Sequence, residues 1–175
     1  MDIINLDKCA MLFIQENLRF ETITPLMVFI THLGDNGMIW YILILTLLIN
    51  KRTRRTGKFA ALSLALCAGI GEILKYIVMR PRPFIEISDL VTLTTQPASY
   101  SFPSLHTTCG FSIAFIAFYL ESGKWRYALL FFAALMAISR PYVGVHYVGD
   151  VLAGFILAFI GSYFVVKFFR LNKNK

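Results

Sequence analysis

Apolar residues in this chain run in long, nearly uninterrupted stretches, with polar and charged residues gathered at their ends. Four stretches, approximately 37–50, 58–79, 104–121 and 147–169, are apolar with few internal charges. A helix rises 1.5 Å per residue, so crossing a hydrocarbon core of about 30 Å takes roughly 20 residues. All four are predicted to be membrane helices. A fifth run, 125–140, is shorter but almost wholly apolar between Tyr127 and Ile138, and is expected to span with its outer end in a protein-lined pocket. Upstream, residues 6–18 alternate apolar and charged positions at helical spacing, while 22–33 is apolar but too short to cross alone. The turn-forming run Leu33-Gly34-Asp35-Asn36-Gly37 interrupts it. This N-terminal part reads as interfacial helices lying on the membrane, or as a broken first span joined to 37–50, and the interfacial form is the expectation. The predicted fold is all-α, a polytopic transmembrane bundle of five or six membrane helices. A single domain covers 1–175, divided into the N-terminal segment 1–36, the bundle 37–169 and a basic cytoplasmic tail 170–175.

Composition agrees with lipid as the main solvent. Of 175 residues 57% are hydrophobic and 16 are Phe, more apolar side chain than a soluble domain of this size can bury. Disorder, collagen-like repeats and a disulfide scaffold are excluded, and no repeat period or low-complexity tract is present. Cys9, Cys67 and Cys109 are odd in number and lack metal-ligand spacing, so they read as apolar packing residues. The N-terminus shows no basic region followed by an apolar one, and no cleavable signal peptide is evident. A net charge of +7 raises nucleic acid as a partner, but the basic residues sit at the ends of apolar runs, which fits anionic lipid headgroups instead.

Charge also orients the chain. Five basic residues lie between Lys51 and Lys58, two between Glu121 and Arg126, and four from Lys167 to Lys175. Helices connected in series put these three segments on one side, the cytoplasm by the positive-inside tendency. Lys75, Arg80, Arg82 and Arg140 break the pattern near the opposite face, where charge is expensive and an anion is needed to compensate it.

Three segments supply polar groups to that face: Lys75 to Pro83, Ser101 to His106, and Ser139 to Asp150. Pro81 and Pro83 end a helix and present Arg80 and Arg82 at its mouth. Pro103 and Ser104 read as a helix start with free backbone N–H groups that can meet an anion. Phosphoryl transfer needs positioning and neutralisation of oxygens. Guanidinium forks from Arg82 and Arg140, the Lys75 ammonium, the Ser104 hydroxyl and the Leu105 N–H suit a phosphate. His146 and Asp150, four apart at a helix start, share a face, so the carboxylate can hold one ring nitrogen and leave the other as nucleophile. His106, on another helix, can protonate the departing oxygen and later activate water. The cations of this scheme are side chains, and it requires neither metal nor cofactor.

These segments resemble the three signature motifs of the type 2 phosphatidic acid phosphatase (PAP2) superfamily. The matches are Lys75, Arg82 and Pro83; then Pro103, Ser104 and His106; then Ser139, Arg140, His146 and Asp150. All three occur in order over about residues 58 to 169. The resemblance implies a PAP2/haloperoxidase-like helical core, a histidine nucleophile, no metal, and a site near the outer leaflet of the cell membrane. One position departs: the family usually has Gly where this chain has Leu105, so the isobutyl group must turn away or narrow the pocket.

Taken singly, several of these residues have plainer readings. Asp150 would serve as a helix cap, Arg80 as a headgroup contact, Asp35 as a turn former and Cys109 as helix packing. The loop from Phe84 to Tyr100 reads as a solvated cover or as a lid. The function expected is a membrane lipid phosphatase acting on undecaprenyl diphosphate, with phosphatidylglycerophosphate or phosphatidic acid as the alternative. The rival of another class is a non-catalytic lipid-phosphate-binding protein, for which Leu105 is the hint; a transporter is weaker, since no inverted repeat is visible.

Overall fold

The computed structural model describes residues 3–171, and residues 172–175 of the expected basic tail lie outside them. Eight helices follow in order: α1 (Ile3–Asn17), α2 (Thr24–Leu33), α3 (Met38–Ile49), α4 (Arg54–Val78), the single turn α5 (Pro83–Glu86), α6 (Leu105–Leu120), α7 (Trp125–Tyr142) and α8 (Val148–Leu171). All five apolar runs are helices, and their boundaries fall within a few residues of those expected.

The bundle is organised around α6. From Thr107 to Ala117 nearly every residue of this helix is buried, on all faces. It packs against α4, α7 and α8. A helix apolar all round must be enclosed; at 16 residues, roughly 24 Å long, α6 is sheltered by its neighbours and does not face lipid along its length. Hydroxyls tie the layer together: Ser162 Oγ donates to the Ser112 carbonyl at 3.1 Å and lies 3.0 Å from Ser63 Oγ, linking α8, α6 and α4.

Helix α4 shows what solvent the exterior expects. Apart from Leu64 its buried stripe is small or polar, with Thr56, Ala60, Ser63, Cys67, Gly71 and Lys75 three or four residues apart. Its outer face carries Leu62, Leu66, Ile70, Ile73 and Ile77, the last 70% exposed. This inverts the pattern of a water-facing helix and matches packing in lipid, where small residues let helices approach. Helix α8 repeats it with Leu152, Phe155, Ile156 and Phe159 outward. Both are long and apolar enough to cross a membrane alone. Helix α7 carries Arg126 and Arg140 within its ends and, like α6, falls short by that measure.

The N-terminal third holds α1 and a bent helix pair. Helices α2 and α3 meet at a 49° bend and together are long and apolar enough to cross, as a broken span or a re-entrant pair. The break is a 3₁₀ turn, Asp35–Gly37, with Asn36 at φ 55° and Gly37 at φ 71°. Helix α2 packs on α7, and α1 touches α7 and α8. Both N-terminal helices are thereby brought to the end of the bundle where α4 and α7 finish and α6 and α8 begin.

Candidate active site

Four helix ends build the site. Helix α4 stops at Met79, which takes a left-handed conformation, φ 49°, and donates its N–H to the Lys75 carbonyl. The Arg80-Pro81-Arg82-Pro83 segment cannot continue the helix, so both arginines turn across the end of the bundle. Lys75, in the last turn, is buried and gives its Nζ to the Tyr100 carbonyl at 2.7 Å. Arg82 is also buried: Nε donates to the Ser99 carbonyl at 2.7 Å, and Nη1 donates to the Val145 carbonyl at 2.8 Å. The same Nη1 lies 3.1 Å from His146 Nε2. Arg140, in the last turn of α7, donates Nη1 to Thr31 Oγ1 of α2, and its Nε is buried without a partner.

His146 precedes α8 and is almost completely enclosed. Its Nδ1 is 3.5 Å from Asp150 Oδ2, the neighbour predicted from the four-residue spacing. Burial, and then the positive charges of Arg82, Arg140 and Lys75, hold this imidazole well below its ordinary pKa, so it is neutral at neutral pH. Asp150 is fully buried and fully engaged. Oδ2 accepts from Ser101 Oγ and from the Tyr147 N–H, and Oδ1 accepts from Arg80 Nη1 at 2.8 Å.

Arg80 does more than touch headgroups. Its Nη2 reaches Asp7 of α1 at 2.8 Å, and its guanidinium lies 3.9 Å from the centre of the Tyr147 ring. Asp7 in turn accepts the Gly149 N–H at 2.9 Å. A buried carboxylate pair bridged by one guanidinium satisfies charges that would each be costly alone. Sequence reasoning missed Asp7, because one acid among several on an amphipathic helix carries no mark of its partner 73 residues away.

Across the cavity His106 stands in the first turn of α6, on the N-terminal side of its neighbour Thr107. Its Nε2 lies 3.4 Å from Asp35 Oδ1, in the turn between α2 and α3. The sequence context marks Asp35 as a turn former only, and no spacing rule places it beside this ring. Ser104 is buried, and its Oγ accepts from Thr107 Oγ1 at 3.1 Å. Unlike the other predicted phosphate ligands, it does not line the cavity. Leu105 does line it, but its side chain is turned against α4, with Cδ2 2.6 Å from where a Cβ on Gly71 would be. A glycine at 71 thus receives the bulk that Leu105 adds, which removes the one hint of a non-catalytic binder.

Lys75, Arg82, His106, Arg140 and His146 line one cavity of about 590 Å³. It continues between α3 and α4 past Trp40, Tyr41, Gly69 and Glu72. Among the described residues no group of three or more His, Cys, Asp or Glu is placed to hold a metal ion.

An apolar-faced helical bundle that gathers three cations and two imidazoles around one cavity marks a membrane-type protein with a site for an anion. The chain is a member of the PAP2 superfamily, whose family model matches residues 56–174. An undecaprenyl-diphosphatase from Sulfolobus acidocaldarius is 36% identical over 140 residues, covering 79% of this chain and 67% of that protein. The crystal structure of Aquifex aeolicus LpxE superposes with a TM-score of 0.80 at 25% identity, over 94% of each chain. The PAP2-type phosphatidylglycerolphosphate phosphatase of Bacillus subtilis gives 0.74 at 26% identity, over 96% of this chain and 86% of that one. The chain is accordingly a lipid phosphatase of the membrane type. The family match begins at residue 56, so α1, α2, α3 and the Asp35 turn lie outside it.

Proposed function

We propose that the protein removes the terminal phosphate of a lipid diphosphate, undecaprenyl diphosphate first, at the extracytoplasmic leaflet through a phosphohistidine on His146. The observation that carries this reading is the convergence of His146 and His106 with Lys75, Arg82 and Arg140 on one cavity. The cations neutralise the phosphate oxygens. His146 Nε2, now facing Arg82, attacks phosphorus; the N–P bond forms, the P–O bond to the lipid breaks, and the leaving oxygen takes a proton from His106. Water then gives a proton to His106 as its oxygen attacks phosphorus, the N–P bond breaks, and phosphate leaves with His146 restored. Asp150 orients His146 through Nδ1, and no metal takes part, so turnover persists in excess chelator.

The site lies at the end of the bundle opposite the basic Lys51–Lys58 and Glu121–Arg126 loops, which supports the outward orientation. Three cations suit a diphosphate, and the 36% identical relative bears an undecaprenyl-diphosphatase name. The likeness to the Bacillus subtilis structure favours phosphatidylglycerophosphate, or phosphatidic acid, as the second reading. Phosphate release from purified protein decides: fastest turnover is expected with undecaprenyl diphosphate, and brisk release from phosphatidylglycerophosphate with none from undecaprenyl diphosphate reverses the order.

A further inference from the structure

We infer that Asp35, held by His32, is the positioning residue of His106, so that the second imidazole of the site draws its partner from the bend between α2 and α3. The inference rests on the phosphatase reading above and adds a residue outside the segment that the family model matches.

Asp35 sits in the 3₁₀ turn with both carboxylate oxygens directed at imidazoles. Oδ2 meets His32 Nδ1 at 2.8 Å, and Oδ1 faces His106 Nε2 at 3.4 Å. A turn former would spend its side chain on backbone N–H groups of its own turn; here the turn is built against the ring. Gly34 leaves no room for a side chain, since a Cβ there would strike His106 Cδ2 and lie 2.9 Å from both Nε2 and Met136 Sδ. His106 Nε2 is buried and makes no hydrogen bond, and Asp35 Oδ1, at 3.4 Å, is the carboxylate oxygen that faces it. All three histidines of the chain thus belong to this end of the molecule.

The chemistry follows from the alternation asked of His106. When it gives a proton to the leaving oxygen it must start as an imidazolium, and when it takes one from water it becomes one again. A carboxylate on the other ring nitrogen stabilises that cation and fixes the ring without itself being protonated, as an orienting Asp does for a catalytic His. Arg140 and His146 face His106 across the cavity, and Glu72 and Lys75 look in from α4. Asp35 is therefore the acid on the N-terminal side that offsets the neighbouring guanidinium. An exposed His–Asp pair contributes little to stability, so the His32 contact serves to aim the carboxylate.

Two measurements on the full-length protein in detergent micelles test this. With only three histidines, ring-¹⁵N resonances of selectively labelled protein are assignable by single His replacements. Asp35→Asn is expected to move those of His106 and leave those of His146 in place. Kinetically, Asp35→Asn is expected to lower kcat by about 10- to 100-fold, less than the ~10⁴-fold of a fully buried orienting carboxylate, with KM changed by less than about threefold. Asp35→Glu should recover part of the loss. In a His106→Ala background the same Asp35→Asn change should alter kcat by less than about twofold, because a residue acting through His106 has nothing left to act through. An unmoved His106 resonance overturns the proposal whether or not the protein turns over lipid. So does an equal loss of kcat with His106 absent, which marks a purely structural turn. A raised KM and weaker orthovanadate inhibition with kcat kept would assign Asp35 to Arg140 instead. Wild-type protein that releases phosphate from no lipid overturns the enzyme reading itself, and is seen before any variant is made.

Discussion

The two imidazoles of the site are supported in opposite ways. His146 rests on a buried, layered network in which the Asp150 carboxylate takes three hydrogen bonds and lies 3.5 Å from the ring, Arg80 bridges it to Asp7, and Asp7 reaches back to Gly149. His106 rests on a turn whose carboxylate is 47% exposed. The difference teaches where each function tolerates motion. In the proposed mechanism the nucleophile must be neutral, aimed and shielded from water, and a buried network does all three at the cost of requiring every member to be satisfied. The proposed role of His106, exchanging protons with a leaving oxygen and then with water, fits a carboxylate close to solvent.

This contrast is sharpest in the size of mutational effects. His146→Ala is expected to abolish turnover, by roughly 10⁴-fold or more, while substrate binding through the cations survives. His106→Ala should cost about 10²- to 10⁴-fold, the range of general acid–base catalysis. Steady-state kinetics with the preferred lipid, beside a binding measurement, ranks the two, and a larger loss at His106 would break the comparison.

Next in size, Arg80→Met removes the bridge between Asp7 and Asp150. Breaking a buried charge pair by deleting one partner costs about 3–5 kcal/mol, so a lowered thermal midpoint is expected together with reduced kcat. Asp7→Asn, which leaves Arg80 its contact with Asp150, should lose less of both. Thermal unfolding in detergent alongside phosphate release separates the layers of the network.

A subtler effect concerns pH. Because burial and nearby cations depress the pKa of His146, it stays neutral, as the proposed nucleophile must, below the ordinary imidazole range. Protonation removes activity only as pH falls through that lowered value. Lys75→Met deletes one of the depressing cations, so the imidazolium becomes easier to form and the acid limb of kcat/KM moves to higher pH. Substrate ionisation is common to both proteins, so the difference in the two limbs reports His146. The smallest change is expected for Leu105→Gly, within about threefold in kcat/KM, since that side chain already packs on Gly71.

How much of this was legible depends on sequence distance. The apolar runs predicted α3, α4, α6, α7 and α8, because length and hydropathy are local properties. The four-residue spacing put His146 and Asp150 side by side, and the structure sets Nδ1 3.5 Å from Asp150 Oδ2, although His146 stands just ahead of α8 and not on it. Lys75, Arg82 and Arg140 stood out as charges placed where lipid makes charge expensive. What could not be read is what depends on packing between distant segments. Asp7 and Arg80, or Asp35 and His106, share no spacing rule, and the 3₁₀ turn at Gly34 looks the same whether it faces water or a ring. The α2–α3 bend is one of the two forms its apolar runs allow, yet nothing in its composition indicates that it closes one side of the cavity.

The most direct test is rapid acid-free quenching of the protein with ³²P-labelled lipid substrate, followed by peptide mapping. The label is expected on His146, stable to alkali and lost on mild acid, to accumulate in His106→Ala where hydrolysis is slowed, and to be absent from His146→Ala. Label persisting in His146→Ala, or a stereochemical course showing direct inversion at phosphorus with no labelled protein at any time, would contradict the account.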